Sequence, residues 1–285
     1  MAVVNTNIGS SLAQAALMKN ERSLSTAMEQ LSTGKRINAA GDDASGLAIS
    51  ARMTSQIRGL ETSIRNANDA ISMVDTAEGA LDEITEMLQR IRELAVQSGT
   101  GTTHADDRTY MDAEFNALRD EIERVANNTE WNGTAIIKGT VGSAGTVTYQ
   151  VGVDGGNTLA VDFGDMTKGT GSMASLNGGS VGLNGGTVAS GITLAASVIT
   201  ITDTAIDAVS NQRSTFGATS NRLTHAVDNL TNVKVNAEAS RSRILDTDYA
   251  AATSELARTQ IIQQAGTAML AQANQMPQSV LALLQ

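Results

Sequence analysis

Cysteine is absent from this sequence of 285 residues, so disulfides and cysteine-based metal or redox sites are excluded. A chain without thiols suits export in an unfolded state, although chance absence is a fair alternative. Proline occurs once, at Pro277, so almost nothing removes the amide donors that helices need. Aromatic residues make up only 2% of the chain, and its 41% hydrophobic content therefore rests on aliphatic residues and methionine. This composition is typical of close-packed helices.

Residue patterns that support catalysis are also scarce. Neither of the two histidines, His104 and His225, lies in a His-Glu-x-x-His motif, and there is no cysteine nucleophile. Asp42 and Asp43 form an acidic pair, but no further ligands stand at a spacing that would complete a metal site. We therefore expect a protein that is not an enzyme and that holds no cofactor and no metal.

The charge balance limits the partners. The net charge is -10, and no basic surface large enough to neutralise a run of phosphates is evident, so we expect no nucleic acid partner. The segment from Thr259 to Gln285 has no charged side chain, which invites interpretation as a membrane span. Its many glutamine and asparagine amides would be costly in hydrocarbon, so we expect no membrane insertion and a surface that is buried against protein.

A long amphipathic pattern from Asp43 to Ser98 predicts a helix that packs on other helices. Its apolar residues are spaced alternately by four and three: Met53, Ile57, Leu60, Ile64, Ala67, Ile71 and Val74, then Leu81, Ile84, Leu88, Ile91 and Ala95. At about 1.5 Å per residue this ladder runs roughly 60 Å, longer than one compact domain needs. The pattern predicts a rod.

Four further helical segments surround this ladder in the sequence. Residues 1–34 carry a sparse heptad stripe, and residues 103–128 repeat the four-three rhythm after a capping box at Thr103 and Asp106. Helical spacing returns near Asp203 and again after a polar joint at 240–249, which corresponds in position to a joint at 34–43. The terminal stripes contain the packing candidates Leu17, Leu24, Met28, Leu31, Ile262, Met269, Met276, Val280 and Leu283.

The middle of the chain has a different composition. Residues 133–191 are rich in glycine, serine and threonine, and Asn132-Gly133 is a hairpin turn signal. Two-residue alternation at 146–153 and 159–163 predicts short strands, and residues 192–201 are another β-prone run. Residues 166–190 contain the Gly-Gly and Asn-Gly dipeptides that are typical of loops, so we expect an outer loop there. The predicted fold is mainly α, an elongated antiparallel helical bundle or coiled coil from both chain ends, with a small β-hairpin region in the middle.

Two signatures make the chain resemble bacterial flagellin over roughly residues 1–138 and 200–285. The first contains Leu-Ser-Thr-Gly-Lys-Arg-Ile-Asn and Asp-Asp-Ala-Ser-Gly-Leu within residues 30–50. The second contains Ser-Arg-Ser-Arg-Ile from residue 240 and Leu-Ala-Gln-Ala-Asn-Gln-Met-Pro-Gln at 270–278. Matches at both ends in the right order indicate this family, whereas the middle of the chain matches nothing specific.

The resemblance implies a domain arrangement in a polymer. Residues 1–42 and 241–285 would be inner-tube helices, residues 43–138 and 201–240 the outer-tube helical domain, and residues 139–200 a glycine-rich β and loop region that faces solvent. Stripes that one subunit cannot cover must be buried against others, and a repeated contact between two different patches gives a helical polymer. We expect the two ends to be disordered in the free monomer, since their narrow stripes need neighbours to offset the ordering entropy.

The function implied by the resemblance is that of a structural subunit. Such a subunit polymerises into the bacterial flagellar filament for swimming motility and is secreted to the outside of the cell. A flagellin-like protein of the hook-filament junction is the alternative, and the extended C-terminal signature favours the filament subunit. The implied partners are copies of the chain itself and the flagellar export chaperone, cap and junction proteins.

Host receptors are further candidate partners. The segment 89–97 is similar to the family segment that a flagellin-sensing Toll-like receptor of vertebrates recognises, and the matching positions are Arg90, Leu94 and, on the facing helix, Glu114. Residues 30–51 resemble the epitope of a plant receptor kinase. The alternative role of all these residues is subunit packing. The sequence leaves glycosylation open at the Asn-x-Thr triplets that begin at Asn127, Asn132 and Asn229 and at the hydroxyl groups of residues 139–200.

Overall fold

The computed structural model describes residues 7–167, 171–177 and 182–282, with side chains as far as residue 275. Five helices carry the fold: α1 (Ile8–Thr33), α2 (Ala44–Ser98), α3 (Ala105–Asn128), α4 (Val188–Leu245) and α5 (Tyr249–Ala282). The strands are β1 (Glu130–Trp131), β2 (Thr134–Ala135), β3 (Thr146–Gln150) and β4 (Thr158–Asp162), and a single 3₁₀ turn spans Ala174–Asn177. The predicted fold class, mainly helical with small hairpins in the middle, is confirmed.

Two compact units divide the chain. Unit 1 combines Met1–Ile57 with Val235–Gln285, and unit 2 is Arg58–Lys234. Helices α2 and α4 contribute residues to both units. The sequence predicted boundaries at 42/43 and 240/241, close to the breaks that separate α1 from α2 and α4 from α5.

The core of unit 2 is built on the predicted ladder of α2. Leu81, Ile84, Leu88 and Ile91 are fully buried there. The same core contains Met111, Phe115 and Ile122 of α3 and Val198, Ala205, Val209 and Phe216 of α4. Residues spaced by three and four along each helix thus form one continuous apolar interior. The predicted helical packing is confirmed for these three helices.

The start of α3 differs by one residue from the prediction. We expected Thr103 and Asp106 to form the capping box, whereas His104 is the N-cap residue. Its backbone amide donates to Oδ2 of Asp107 at 3.3 Å. Thr103 instead donates its hydroxyl to the carbonyl of Gln97 at 3.2 Å. The hydroxyl of Thr103 therefore contacts the end of α2, and this contact explains why the threonine does not cap α3.

The two hairpins form where the sequence predicted them. Asn132 and Gly133 both have positive φ, 49° and 77°, as a two-residue type I′ turn between β1 and β2 requires. Strands β3 and β4 pair antiparallel, with Tyr149 opposite Leu159. Leu159 and Val161 are buried and alternate with exposed neighbours, so one face of this hairpin packs on the helices.

The prediction for residues 192–201 is wrong. This β-prone run is helical, and α4 begins at Val188, not near Asp203. The residues that α4 buries here are Gly191, Ala195, Val198 and Thr202, at helical spacing. Small residues let α4 approach the core closely, and this tertiary packing overrides the strand preference of the isoleucines and threonines around them.

The predicted loop at 166–190 is only partly irregular. Met173, Leu176 and Leu183 are fully buried in the core of unit 2, and the segment contains the 3₁₀ turn. Residues 168–170 and 178–181, which the loop prediction also covers, lie outside the described residues. The described part of the segment therefore contributes to packing.

Among the described helices, α4 is long and apolar enough to meet the simple criteria for a membrane span, with a mean hydropathy of 1.5 in one 18-residue stretch. Its buried residues, such as Val198, Ala205 and Val209, belong to the core of unit 2. Of that stretch 28% is buried, so packing within the unit accounts for part of its apolar character.

Candidate assembly surfaces

The two polar joints of unit 1 are bonded to each other. Gly34 ends α1 in the left-handed region at φ 69° and turns the chain into the first joint. The backbone amide of Arg36 donates to the carbonyl of Leu245 at 2.7 Å, and the amide of Thr247 donates to the carbonyl of Gly34 at 3.0 Å. The predicted correspondence between the joints is therefore a direct antiparallel bridge.

The acidic pair at the end of the first joint caps backbone amides. Oδ1 of Asp43 accepts from the amide of Gly46 at 2.9 Å, and Oδ2 of Asp42 accepts from the amide of Ala39 at 2.9 Å. These amides lower the pKa of each carboxyl group below its ordinary value. No cluster of potential metal ligands occurs among the described residues. The pair therefore starts α2 and shapes the joint.

Helices α1 and α5 pack on each other along a polar and small-residue seam. Asn20 of α1 is buried, and its Nδ2 donates to the carbonyl of Thr259, also buried, at 2.8 Å. Near the other end of the seam, Nδ2 of Asn7 donates to the carbonyl of Ala273 at 2.8 Å. The ends of the chain thus form an antiparallel pair.

The outer sides of both helices carry uncovered apolar residues. Large ones that are between 41% and 72% exposed include Leu12, Met18 and Met28 of α1 with Ile261, Ile262 and Met269 of α5. Fully burying one such side chain contributes about 1.5 to 3 kcal/mol. Several large apolar residues exposed on one pair of helices make this surface a candidate for protein interaction.

The predicted packing candidates divide between these two environments. Leu17, Leu24 and Leu31 are half-buried in the seam, whereas Met28, Ile262 and Met269 are exposed. The side chains of Met276 and Val280 are not described, and Leu283 lies outside the described residues. Met18 and Ile261 were missed because each stands beside, and not in, the seven-residue repeat that we followed.

The receptor candidates lie in unit 2. Nε of Arg90 donates to Oε1 of Glu114 at 2.9 Å, joining α2 and α3 at an exposed site. Arg90 also contacts Glu93 at 3.1 Å. Leu94 is 1% exposed and belongs to the core below. The structure thus brings Arg90 and Glu114 together on the surface and gives Leu94 a packing role.

These features define a class, a helical subunit that assembles with copies of itself. Both chain ends contribute one helix to a pair, and the pair leaves apolar residues uncovered on its outer sides. Residues 4–141 match the family profile of the bacterial flagellin N-terminal helical region, and residues 199–284 match that of the C-terminal helical region. The chain belongs to the bacterial flagellin family.

Relatives of similar length support this membership. The chain is 44% identical to a flagellin of Halalkalibacterium halodurans over 282 residues, which cover 99% of each chain. It is 40% identical to a flagellin of Bacillus subtilis over 301 aligned residues, again covering 99% of each. A solved structure of a putative flagellar hook-associated protein from Vibrio parahaemolyticus has a TM-score of 0.55 at 16% identity, covering 72% of this chain and 100% of that one. That likeness shows the fold alone.

The function follows from the family. The chain is a structural subunit that polymerises with copies of itself into the bacterial flagellar filament, an extracellular structure used for swimming, and it is not an enzyme. The hook-filament junction alternative is less well supported, because the full-length relatives with high identity are flagellins.

Proposed function

We propose that unit 1 supplies the inner tube of the filament and that its exposed apolar stripe is the surface that neighbouring subunits cover. The stripe consists of Leu12, Met18 and Met28 on α1 with Ile261, Ile262 and Met269 on α5. The observation that carries the proposal is the contrast between the units. Unit 2 encloses a continuous core of its own, whereas α1 fully buries only Asn20 and Ala27.

Energetics support this role. Ordering a residue costs about 1 to 2 kcal/mol of backbone entropy, so a pair of helices with few buried side chains is marginal by itself. Each stripe residue that becomes covered contributes about 1.5 to 3 kcal/mol. Neighbouring subunits thus supply the stabilisation that the isolated pair lacks, and folding of the chain ends is coupled to assembly.

The outer parts of the proposed arrangement involve unit 2. Residues 43–138 and 201–240 form the outer tube in this proposal, and the exposed side of the region 139–200 faces solvent. The other side of that region, with Phe163, Met173 and Leu183, packs in the core of unit 2. The turn between β3 and β4 supports an outward position, since residues 153–158 are all exposed. Export in an unfolded state, with a chaperone before export and cap and junction proteins at the filament ends, belongs to the same proposal.

Matched isoleucine variants test the stripe. Ile262 in α5 is 41% exposed, and Ile192, in the proposed solvent-facing region, is 39% exposed. Replacing each by glutamine removes a similar apolar area from the surface of the full chain. We expect Ile262→Gln to slow elongation of filament seeds at least about tenfold, and Ile192→Gln to leave elongation unchanged. Equal effects of the two variants would overturn the assignment of the stripe.

A second proposal concerns the exposed pair Arg90 and Glu114. Their mutual ion pair fixes two opposite charges on adjacent helices, and half of each side chain remains accessible. We propose this pair as a recognition site for flagellin-sensing receptors of vertebrates, and residues 30–51 as the segment that a plant receptor kinase would bind. Activation of receptor-bearing reporter cells by the free chain tests the site at Arg90 and Glu114. The same assay with plant cells tests residues 30–51.

A further inference from the structure

The seam between α1 and α5 repeats every seven residues on both sides. On α5 it is lined by the small residues Ala252, Thr259, Gly266 and Ala273. On α1 the leucines Leu17, Leu24 and Leu31 recur at the same interval. Sliding α5 by one heptad along α1 would again place leucines against small residues. The repeat by itself therefore does not select one register.

Gly266 distinguishes one register from the others. A Cβ atom at this position would lie 2.8 Å from Cδ2 and 3.1 Å from Cγ of Leu17, so the leucine occupies space that any other residue would fill. Gly266 is the only glycine between Tyr249 and Ala282. Glycine is among the least favourable residues in a helix interior, and close approach of Leu17 gives a physical reason for it here. After a one-heptad slip Leu17 would meet Thr259 or Ala273, each of which has a Cβ atom.

One polar contact favours the same register, whereas the buried amide of Asn20 does not distinguish registers. The carbonyl of Thr259 satisfies this amide, and a slip by one heptad would present the backbone carbonyl of Ala252 or Gly266 in its place. Oγ of Ser10 donates to Oδ1 of Asn274 at 2.8 Å. A slip by one heptad would bring Thr267 to the place of Asn274 and break this contact.

We propose that the Leu17–Gly266 contact, with the Ser10–Asn274 hydrogen bond as a second determinant, selects the register of the α1–α5 pair. The register decides which exposed residues of α1 lie beside which residues of α5. It therefore sets the shape of the apolar stripe that neighbouring subunits cover. Only this last consequence rests on the proposed function, because the register itself is a property of one chain.

Cysteine pairs introduced into the full chain can report the register, since the chain has no cysteine of its own. Ser10→Cys with Asn274→Cys reports the observed register, and Ser10→Cys with Thr267→Cys reports a slip by one heptad. Each pair is oxidised in the free chain and in seeded filaments, and non-reducing gels separate cross-links within a chain from those between chains. In filaments we expect the first pair to form at least about tenfold more intrachain cross-link than the second. In the free chain, where the helix pair is only marginally stable, we expect the same preference at a lower total yield.

Gly266→Ala is the critical change in both reporter chains. The added methyl group meets Leu17, so we expect the yield of the first pair to fall about tenfold relative to that of the second. The second pair need not gain yield, because the slipped register places Thr259, which also has a Cβ atom, against Leu17. In a Leu17→Ala background Gly266→Ala should have no further effect, because the clashing side chain is gone. Gly217→Ala in α4 is the matched control, since a Cβ atom there has nothing within 4 Å. This control should change neither yield.

Three results would overturn the proposal. Gly266→Ala could leave both yields unchanged, it could lower both equally, which indicates packing without register selection, or the Ser10–Asn274 pair could fail to cross-link in either state. Failure of the proposed function looks different. In that case the unaltered chain does not elongate seeds, while the cross-link yields in the free chain still follow the expected pattern.

Discussion

Nε of Arg108 in α3 donates a hydrogen bond to the carbonyl oxygen of Ser98, the last residue of α2, at 2.9 Å. The arginine is only 1% exposed. Its Nη2 donates to the carbonyl of Thr100 at 3.0 Å, and its Nη1 to the carbonyl of Val188, the first residue of α4, at 3.4 Å. A cation at the carboxyl end of α2 satisfies carbonyls that have no partner within the helix and complements its dipole.

Replacing Arg108 by methionine should therefore destabilise unit 2. The change leaves buried carbonyls without donors, and we expect the free energy of unfolding to fall by about 2 to 4 kcal/mol. Denaturant unfolding followed by circular dichroism measures it. Arg124→Met is the control, because Arg124 is exposed and pairs with Glu121 three residues away on the same helix, so its loss should cost less than about 1 kcal/mol. Equal losses for the two variants would contradict the capping role.

The first joint should loosen in acid. The amide of Gly46 lowers the pKa of Asp43 below its ordinary 3.8, and the amide of Ala39 does the same for Asp42. A carboxyl group whose folded pKa is depressed stabilises the fold fully above its unfolded pKa, and this contribution is lost as pH falls through the folded value. We expect the amide signals of Gly46 and Ala39 to titrate below pH 3.8 in an NMR series.

Asp43→Asn separates the two carboxyl groups. This variant should abolish the titration seen at Gly46 and leave that at Ala39, since Asp42 is the acceptor for the second amide. A titration at Gly46 that persists in the variant would assign the effect to another group.

Hydrophobic spacing predicted α2 well because its buried residues are large. A buried helical face is evident from the spacing of Leu81, Ile84 and Leu88, and no glycine or proline lies on that face. Asn132-Gly133 was equally informative, because few dipeptides tolerate two positive φ angles in succession. Where the local conformational preference and the tertiary packing favour the same structure, the sequence alone is sufficient to predict it.

The beginning of α4 could not be predicted in this way. Its buried face there consists of Gly191, Ala195 and Thr202, which carry little or no hydrophobic signal. The isoleucines that dominate the pattern lie mostly beside that face, so their alternation suggested a strand. Only contact with the core decides such a segment.

The uncovered side of α5 could be predicted for a related reason. Large apolar residues of α5, such as Ile262 and Met269, mark the side that stays uncovered in one chain. The side that faces α1 contains Thr259 and Gly266, which hydrophobicity does not reveal. Pattern reasoning therefore identified the uncovered side of α5 and missed its side that faces α1.

Hydrogen exchange should separate the two units in the free chain. We expect amides of α1 and α5 to exchange rapidly in dilute monomer, because the pair buries few side chains, and those around Leu88 in the core of α2 to stay protected. On polymerisation the terminal amides should become protected. Ile262→Gln serves as the control, since it should show less of this gain. If the amides of α1 and α5 were as well protected from exchange in dilute monomer as those of the α2 core, coupled folding would be refuted.

Receptor recognition should depend on the charges of Arg90 and Glu114. Each side chain is about half exposed, and removing either one leaves its partner charge without its main contact. We expect Arg90→Ala or Glu114→Ala to raise the half-maximal concentration for activation of reporter cells about tenfold, as loss of an interface anchor of about 1.4 kcal/mol does. The pair Arg124 and Glu121 on α3 is a matched control, an exposed ion pair outside the proposed site. Alanine at either control position should leave the response unchanged, and a similar shift in all four variants would show that recognition does not depend on this site.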